Sequence, residues 1–139
     1  MRKLIVALTV LACAGTVSVF AQEGPIKTKE FFRSAKNAGG QEIKYPGGTV
    51  EIVAATTDIQ PGTTTPVHKH PYPRSIYVLE GTFTVTEEGG QPHTYPAGSF
   101  VVEAVDVWHT GSNTGSGPLR LLVIDNVPAG VNNTVPKPK

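Results

Sequence analysis

From Thr49 onward the chain alternates short runs of β-branched and aromatic residues with turn formers, and no stretch keeps a helical period. Thr49 to Ile59 is β-branched and mostly apolar, a strand closed by Pro61-Gly62. Val67 to His70 is short and extended between Pro66 and Pro71, and Ser75 to Leu79 is a strand that stops at Gly81. Thr82 to Thr86 sets threonines against Phe83 and Val85 with period two, and Gly89-Gly90 turns a hairpin. Thr94-Tyr95 runs into the turn Pro96-Ala97-Gly98. Ser99 to Val102, Val107 to Thr110 and Leu119 to Asp125 complete the set. Closely spaced short strands with turn signals between them predict an all-β sandwich or barrel. Glu30-Phe31-Phe32 reads as a short strand or a helical turn, and Asn37 to Gly40 as a loop.

The two ends break this pattern. Arg2 and Lys3 precede a run without charge from Leu4 to Phe20, and Val19 and Ala21 sit at the −3 and −1 places of a small-residue cleavage site. This three-part pattern predicts an export signal over residues 1–21. The run holds 17 residues and is diluted by Thr9, Gly15, Thr16 and Ser18, short of the roughly 20 apolar residues of a membrane span. Cys13, after Val10-Leu11-Ala12, is the alternative, a lipid-attachment box, and cleavage after Ala21 is preferred. Residues 22–126 are expected to form the folded domain. Residues 127–139, with Pro128, Pro136 and Pro138, are expected to be a flexible C-terminal tail.

Composition narrows the class. With 12 Lys+Arg against 11 Asp+Glu, the chain lacks the basic balance that nucleic acid requires. Its single cysteine lies within the expected signal, so the exported domain would stand without a disulfide or a cysteine-rich zinc module. Gly 15 and Pro 12 agree with many turns.

The chemistry is concentrated in the histidines. His68 and His70 are two apart on an extended segment, which aims both imidazoles to one side. Alone, such a pair is as well explained by a solvated strand face. Its frame adds more. Gly62-x5-His68-x-His70, with Tyr77-Val78-Leu79-Glu80-Gly81 after six further residues, resembles the first motif of the cupin superfamily. Gly98, then His109 after ten residues and Asn113 further on, resembles the second. The resemblance spans Thr49 to Asp125 and implies a double-stranded β-helix, a jelly-roll barrel of two antiparallel sheets. It further implies that His68, His70 and His109 converge inside as metal ligands. Three imidazoles suit a divalent transition metal (Fe, Mn, Ni, Cu or Zn) with open positions for a small molecule.

The departures from the motifs are as informative. The glutamate that the family places four residues after the second histidine is Arg74 here, and the Pro and Gly inside the second motif are Ala104 and Asp106. Arg74 has three readings: it holds the anionic group of a ligand beside a three-histidine metal, it turns outward at Pro73, or the site is a metal-free pocket. An inward arginine needs an anionic partner. On the first reading, Arg74→Glu would tighten metal binding by restoring the carboxylate. Glu103, six residues before His109, is a replacement ligand or an acid/base group if it points inward, and a rim residue otherwise. Phe100 to Val102 is apolar throughout, so alternation leaves its direction open. Tyr72, between Pro71 and Pro73, is a second acid/base candidate or a surface ring. His93 and Glu80 are expected at the surface, Trp108 on the side of its strand opposite His109, and Asn113 in local hydrogen bonding.

The resemblance allows two functions: an exported dioxygenase- or isomerase-like metalloenzyme acting on a small, anionic molecule, and a non-catalytic ligand-binding module without metal. Expected partners are a small molecule and, through the outer sheet, a second copy in a homodimer, with no nucleic acid and no membrane span after signal cleavage.

Overall fold

The computed structural model describes residues 25–139, so the expected signal, residues 1–21, lies outside the described residues. Every regular element among these is a strand: β1 (Val50–Ile59), β2 (His68–Lys69), β3 (Arg74–Glu80), β4 (Thr82–Glu87), β5 (Pro92–Pro96), β6 (Phe100–Val102), β7 (His109–Asn113), β8 (Leu119–Pro128) and β9 (Val135–Pro136). They form two antiparallel sheets, ordered β1-β8-β3-β6 and β5-β4-β7-β2-β9. The residues from Phe32 to Lys139 make one compact unit.

Alternation along the strands sets the core. β8 buries Leu119, Leu121, Val123, Asp125 and Val127 and turns the residues between them outward. Ile59, Ile76, Val78 and Val101 come from the same sheet, and Phe83 and Val85, with Tyr95 packed beside them, from the other. β1 forms where the pattern puts a strand, at the edge of its sheet, and only Ile59 among its ten residues is buried. Ile52 and Val53 stand exposed, and among the described residues no strand pairs beyond β1.

Two turns carry the motif residues. Gly81, between β3 and β4, has φ 84°, and a Cβ there would lie 2.4 Å from the Pro118 carbonyl oxygen, so only glycine fits. Asp106 stands where the family motif has glycine. It keeps the left-handed conformation at φ 59°, which Asp tolerates better than most side chains. Its amide donates to the His70 carbonyl at 2.9 Å and its carboxylate pairs with Lys69 at 2.9 Å.

The end of the chain corrects the sequence reading. Residues 127–139 are not a loose tail. Val127 completes the buried face of β8, Asn133 is buried, and β9 pairs with β2. Pro136 lies on the edge strand of its sheet, a place where a proline is tolerated.

Candidate metal centre

Three elements bring the histidines together. His68 on β2 lies directly opposite His109 on β7, and cross-strand partners share a face. His70 follows two residues after His68, held at the end of β2 by a bridge to Val105. Ring centroids are separated by 4.5 Å (His68–His109), 4.9 Å (His68–His70) and 5.0 Å (His70–His109). The ligand-capable atoms of the three lie within 4.8 Å of one another. His70 and His109 are buried, while His68 is partly exposed and faces the opening.

Each ring is held by its Nδ1. That atom lies 2.8 Å from the Pro66 carbonyl oxygen in His68, 2.7 Å from that of Asn133 in His70, and 2.9 Å from that of Val107 in His109. A carbonyl oxygen only accepts, so each Nδ1 carries a proton, and in the neutral ring that leaves Nε2 its lone pair. This tautomer is the one that a metal-binding histidine needs, fixed by a second hydrogen bond to the backbone.

Glu103 resolves to the inward alternative. It is 4% exposed, with Oε2 at 3.2 Å from His70 Nε2 and Oε1 at 3.6 Å from His109 Nε2. The local cause is the end of β6. The Glu103 amide donates to the Arg74 carbonyl at 3.0 Å, which prolongs the β3–β6 ladder by one step beyond the Ser75–Val102 pair. Burial pushes the Glu103 carboxyl up, but the hydrogen bond from His70 and the charges of His70, His109 and Arg74 outweigh it, and it lies below the ordinary carboxylate range. Carboxylate oxygens and imidazole lone pairs repel unless a cation lies between them. A proton can satisfy one such pair, whereas a divalent metal satisfies all the donors at once. His109 Nε2 is moreover buried without a hydrogen-bond partner. Three Nε2 atoms and one carboxylate therefore fit a divalent transition metal.

Arg74 points inward and finds its anion within the chain. Nε and Nη2 donate to the two oxygens of Asp125 at 2.8 and 2.7 Å, the fork geometry of a strong ion pair. Nη2 also donates to Thr134 Oγ1 at 3.3 Å, and Nη1 to His70 Nε2 at 3.2 Å. The outward reading is thus excluded, and the anionic partner that an inward arginine needs is Asp125, its cross-strand neighbour in the β3–β8 pair. Burial raises the Asp125 carboxyl, but hydrogen bonds from Arg74 and Asn133 prevail and hold it below its ordinary value of 3.8.

The arrangement encloses a chamber of about 70 Å³, lined by Ile76, Phe83, Leu121 and Val123 on its apolar side and by His68, Arg74 and Glu103 on its polar side. A more open apolar vestibule of about 250 Å³, walled by Thr65, Pro66, Thr134 and Pro136, meets His68 from outside. Tyr72 lines neither space. It precedes β3, and its backbone is engaged by Asn133. His93 and Glu80 are exposed, as expected. Trp108 turns away from His109 and carries Lys69 and Lys137 over its ring. Asn113 donates to the carbonyls of Ile59 and Gly117, so its bonding joins β7 to β1 as well as closing a turn.

The chain matches the cupin domain family over residues 55–125. That match covers half of the chain and includes all three histidines, Arg74 and Glu103. The protein is a cupin. No curated protein sequence matches it. Solved structures share the cupin barrel. A conserved protein with a double-stranded β-helix domain from Klebsiella pneumoniae is 18% identical, with a TM-score of 0.52 over 70% of this chain and 91% of that one. The polyketide cyclase RemF from Streptomyces resistomycificus is 22% identical, with a TM-score of 0.53 over 72% and 71%. An oxalate decarboxylase from Lactobacillus farciminis, solved as a formate complex, is 26% identical, with a TM-score of 0.53 over 61% of this chain. This cupin spans 26% of that chain's length.

One pH prediction arises from the site. Burial holds His68 below its ordinary value of 6.5, helped by the neighbouring rings of His109 and His70 and opposed by the Pro66 carbonyl and Glu103. Between 6.5 and the lowered value the unfolded chain binds a proton that the folded one does not, so stability falls as pH falls through this range. Asp125 adds a second loss below its ordinary value of 3.8. Urea unfolding of metal-free protein is expected to show stability declining from pH 6.5 downward and steepening below 4.5, where Glu103 adds its own loss, and again below 3.8. His68→Gln should flatten the first decline, and an equally steep decline in that variant would show that His68 does not cause it.

Proposed function

We propose that this cupin is an exported protein with one mononuclear metal centre, held by His68, His70, His109 and Glu103, that binds and acts on a small anionic molecule. The observation that carries the reading is the meeting of three Nδ1-protonated imidazoles with one buried carboxylate. The family's glutamate is absent from position 74, and Glu103, from the neighbouring strand, restores a carboxylate to the same set of donors.

A divalent ion bound there supplies Lewis-acid or redox chemistry to a ligand in the chamber. The chain's own residues do the rest. Glu103 brings a negative charge that would offset part of the ion's own. Arg74, with two nitrogens tied to Asp125, is oriented so that Nη1 faces the chamber. With the His70 lone pair committed to a metal, Arg74 Nη1 would lack that acceptor and would be free to donate to an oxygen of a bound anion. The apolar wall excludes water, which strengthens both interactions. The small chamber suits a compact carboxylate, and the oxalate decarboxylase relative was solved with formate, an anion of that class. The exposed apolar residues of β1, Ile52 and Val53, support pairing of two copies through this edge.

Glu103→Gln tests the fourth ligand, because it keeps the volume and removes the charge. We expect it to weaken Mn(II) or Zn(II) binding, measured by calorimetry, at least roughly tenfold, the low end of what even the loss of an outer-shell partner costs. Unchanged affinity would put Glu103 outside the coordination sphere. Formate and oxalate titrated into metal-loaded protein test the ligand class, and heat signals equal to those in Arg74→Met would contradict an anchoring role for Arg74. A metal-free binding module is the second reading. It draws on the hydrogen bond from Arg74 to His70 Nε2, which occupies one lone pair, and it leaves the buried His109 Nε2 unexplained.

A further inference from the structure

His70 is supported from the far end of the chain. His68 and His109 each donate to a carbonyl two residues earlier, so those rings carry local supports. The acceptor for His70 is the Asn133 carbonyl, 63 positions away, and at 2.7 Å this is the shortest of the three bonds. The segment that presents it leaves β8 through an exposed turn at Gly130 and returns across the site.

Several bonds hold that segment in place. The buried Asn133 side chain accepts from the Tyr72 amide at 2.9 Å and donates to the Tyr72 carbonyl at 3.1 Å, a two-sided pairing with the residue just before Pro73 and Arg74. Its Nδ2 also donates to Asp125 Oδ1 at 2.8 Å, on the carboxylate that binds Arg74. Beyond it, β9 sets Pro136 opposite His68, and the Lys137 amide donates to the Val67 carbonyl at 3.0 Å.

We propose that residues 129–137 form a clasp that fixes the tautomer and orientation of His70, with Asn133 as its positioning residue. The consequence for metal binding rests on the metal-centre reading above, whereas the consequence for the tautomer does not. The physical argument is a competition for one proton. With the Asn133 carbonyl in place, the proton stays on Nδ1 and Nε2 offers its lone pair. Without it, Nδ1 is buried with no acceptor, and Glu103 Oε2 lies 3.2 Å from Nε2. The proton then favours Nε2, which gives up the bond from Arg74 Nη1 and donates to the carboxylate instead, and that single bond closes both a nitrogen and an oxygen donor to a metal. The clasp therefore keeps two donors from consuming each other.

The test uses the full-length protein, its Asn133→Ala variant and a chain ended after Pro128. Long-range proton–nitrogen spectra of metal-free protein report the tautomer of each histidine, and Co(II) titration followed by visible absorption reports the site. We expect His70 to carry its proton on Nδ1 in the wild type and on Nε2 in both variants, with His68 and His109 unchanged. Co(II) affinity should fall about 10- to 100-fold, as for other lost outer-shell partners of a ligating histidine. Wild-type His70 protonated on Nε2 would overturn the clasp even if neither variant folds. A folded Asn133→Ala protein with the wild-type tautomer and affinity would overturn it too. Tautomers that shift as expected in a protein that binds no Co(II) in any form would uphold the clasp and refute the metal centre alone.

Discussion

His109→Ala is expected to abolish metal binding by this cupin, with a loss larger than the roughly 100-fold that an outer-shell partner can cost. His109 is the ligand that the first motif cannot replace. It comes from β7, is 2% exposed, and carries the buried Nε2 that lacks a hydrogen-bond partner. The metal-free variant should lose some stability, because the truncation opens a cavity and leaves the Val107 carbonyl without its imidazole donor, a loss partly offset by removing an unsatisfied buried nitrogen. The expected signature is a folded variant that added Zn(II) does not stabilise, beside a wild type that it does. Wild-type stabilisation by Zn(II) in His109→Ala would show that the metal binds elsewhere.

Arg74→Met should cost the fold about 3 kcal/mol, the low end for removing one member of a buried ion pair. Both side chains keep some exposure, 17% for Arg74 and 10% for Asp125, which argues for that end of the range. The loss comes mainly from Asp125, left with only the Asn133 amide as donor. Arg74→Met combined with Asp125→Leu should recover part of it, since neither charge then remains unpaired. A double variant no more stable than the single would mean that the pair contributes beyond mutual neutralisation. The same geometry gives Arg74→Glu a cost to the fold that the motif does not show. A glutamate there would face Asp125 across the β3–β8 pair with Glu103 nearby, three carboxylates and no arginine. It should destabilise the metal-free protein more than methionine does.

Much of the barrel could be read from local signals, because turn formers and period-two strands encode it directly. The hairpin at Gly89-Gly90 and the strands on either side of Gly81 stand where the pattern puts them. The histidines could be read for a similar reason: parity joins His68 to His70, and the two motifs imply His109. Glu103 could not, because it follows a strand that is apolar on both faces, and its direction is set by a backbone bond to Arg74 from another strand. The partner of Arg74 was equally hidden, since register across 51 positions brings Asp125 opposite it. The clasp was the least legible part. A two-residue strand in a proline-rich stretch has no periodicity to detect, and its order comes from the side chain of Asn133 and from backbone groups of residues far away in sequence.

Elemental analysis of the purified protein, after incubation with a divalent transition metal and exhaustive dialysis, tests whether three imidazoles and a buried carboxylate share one ion. One ion per chain is expected in the wild type and none in His109→Ala. A wild-type protein that emerges without metal would contradict a shared ion.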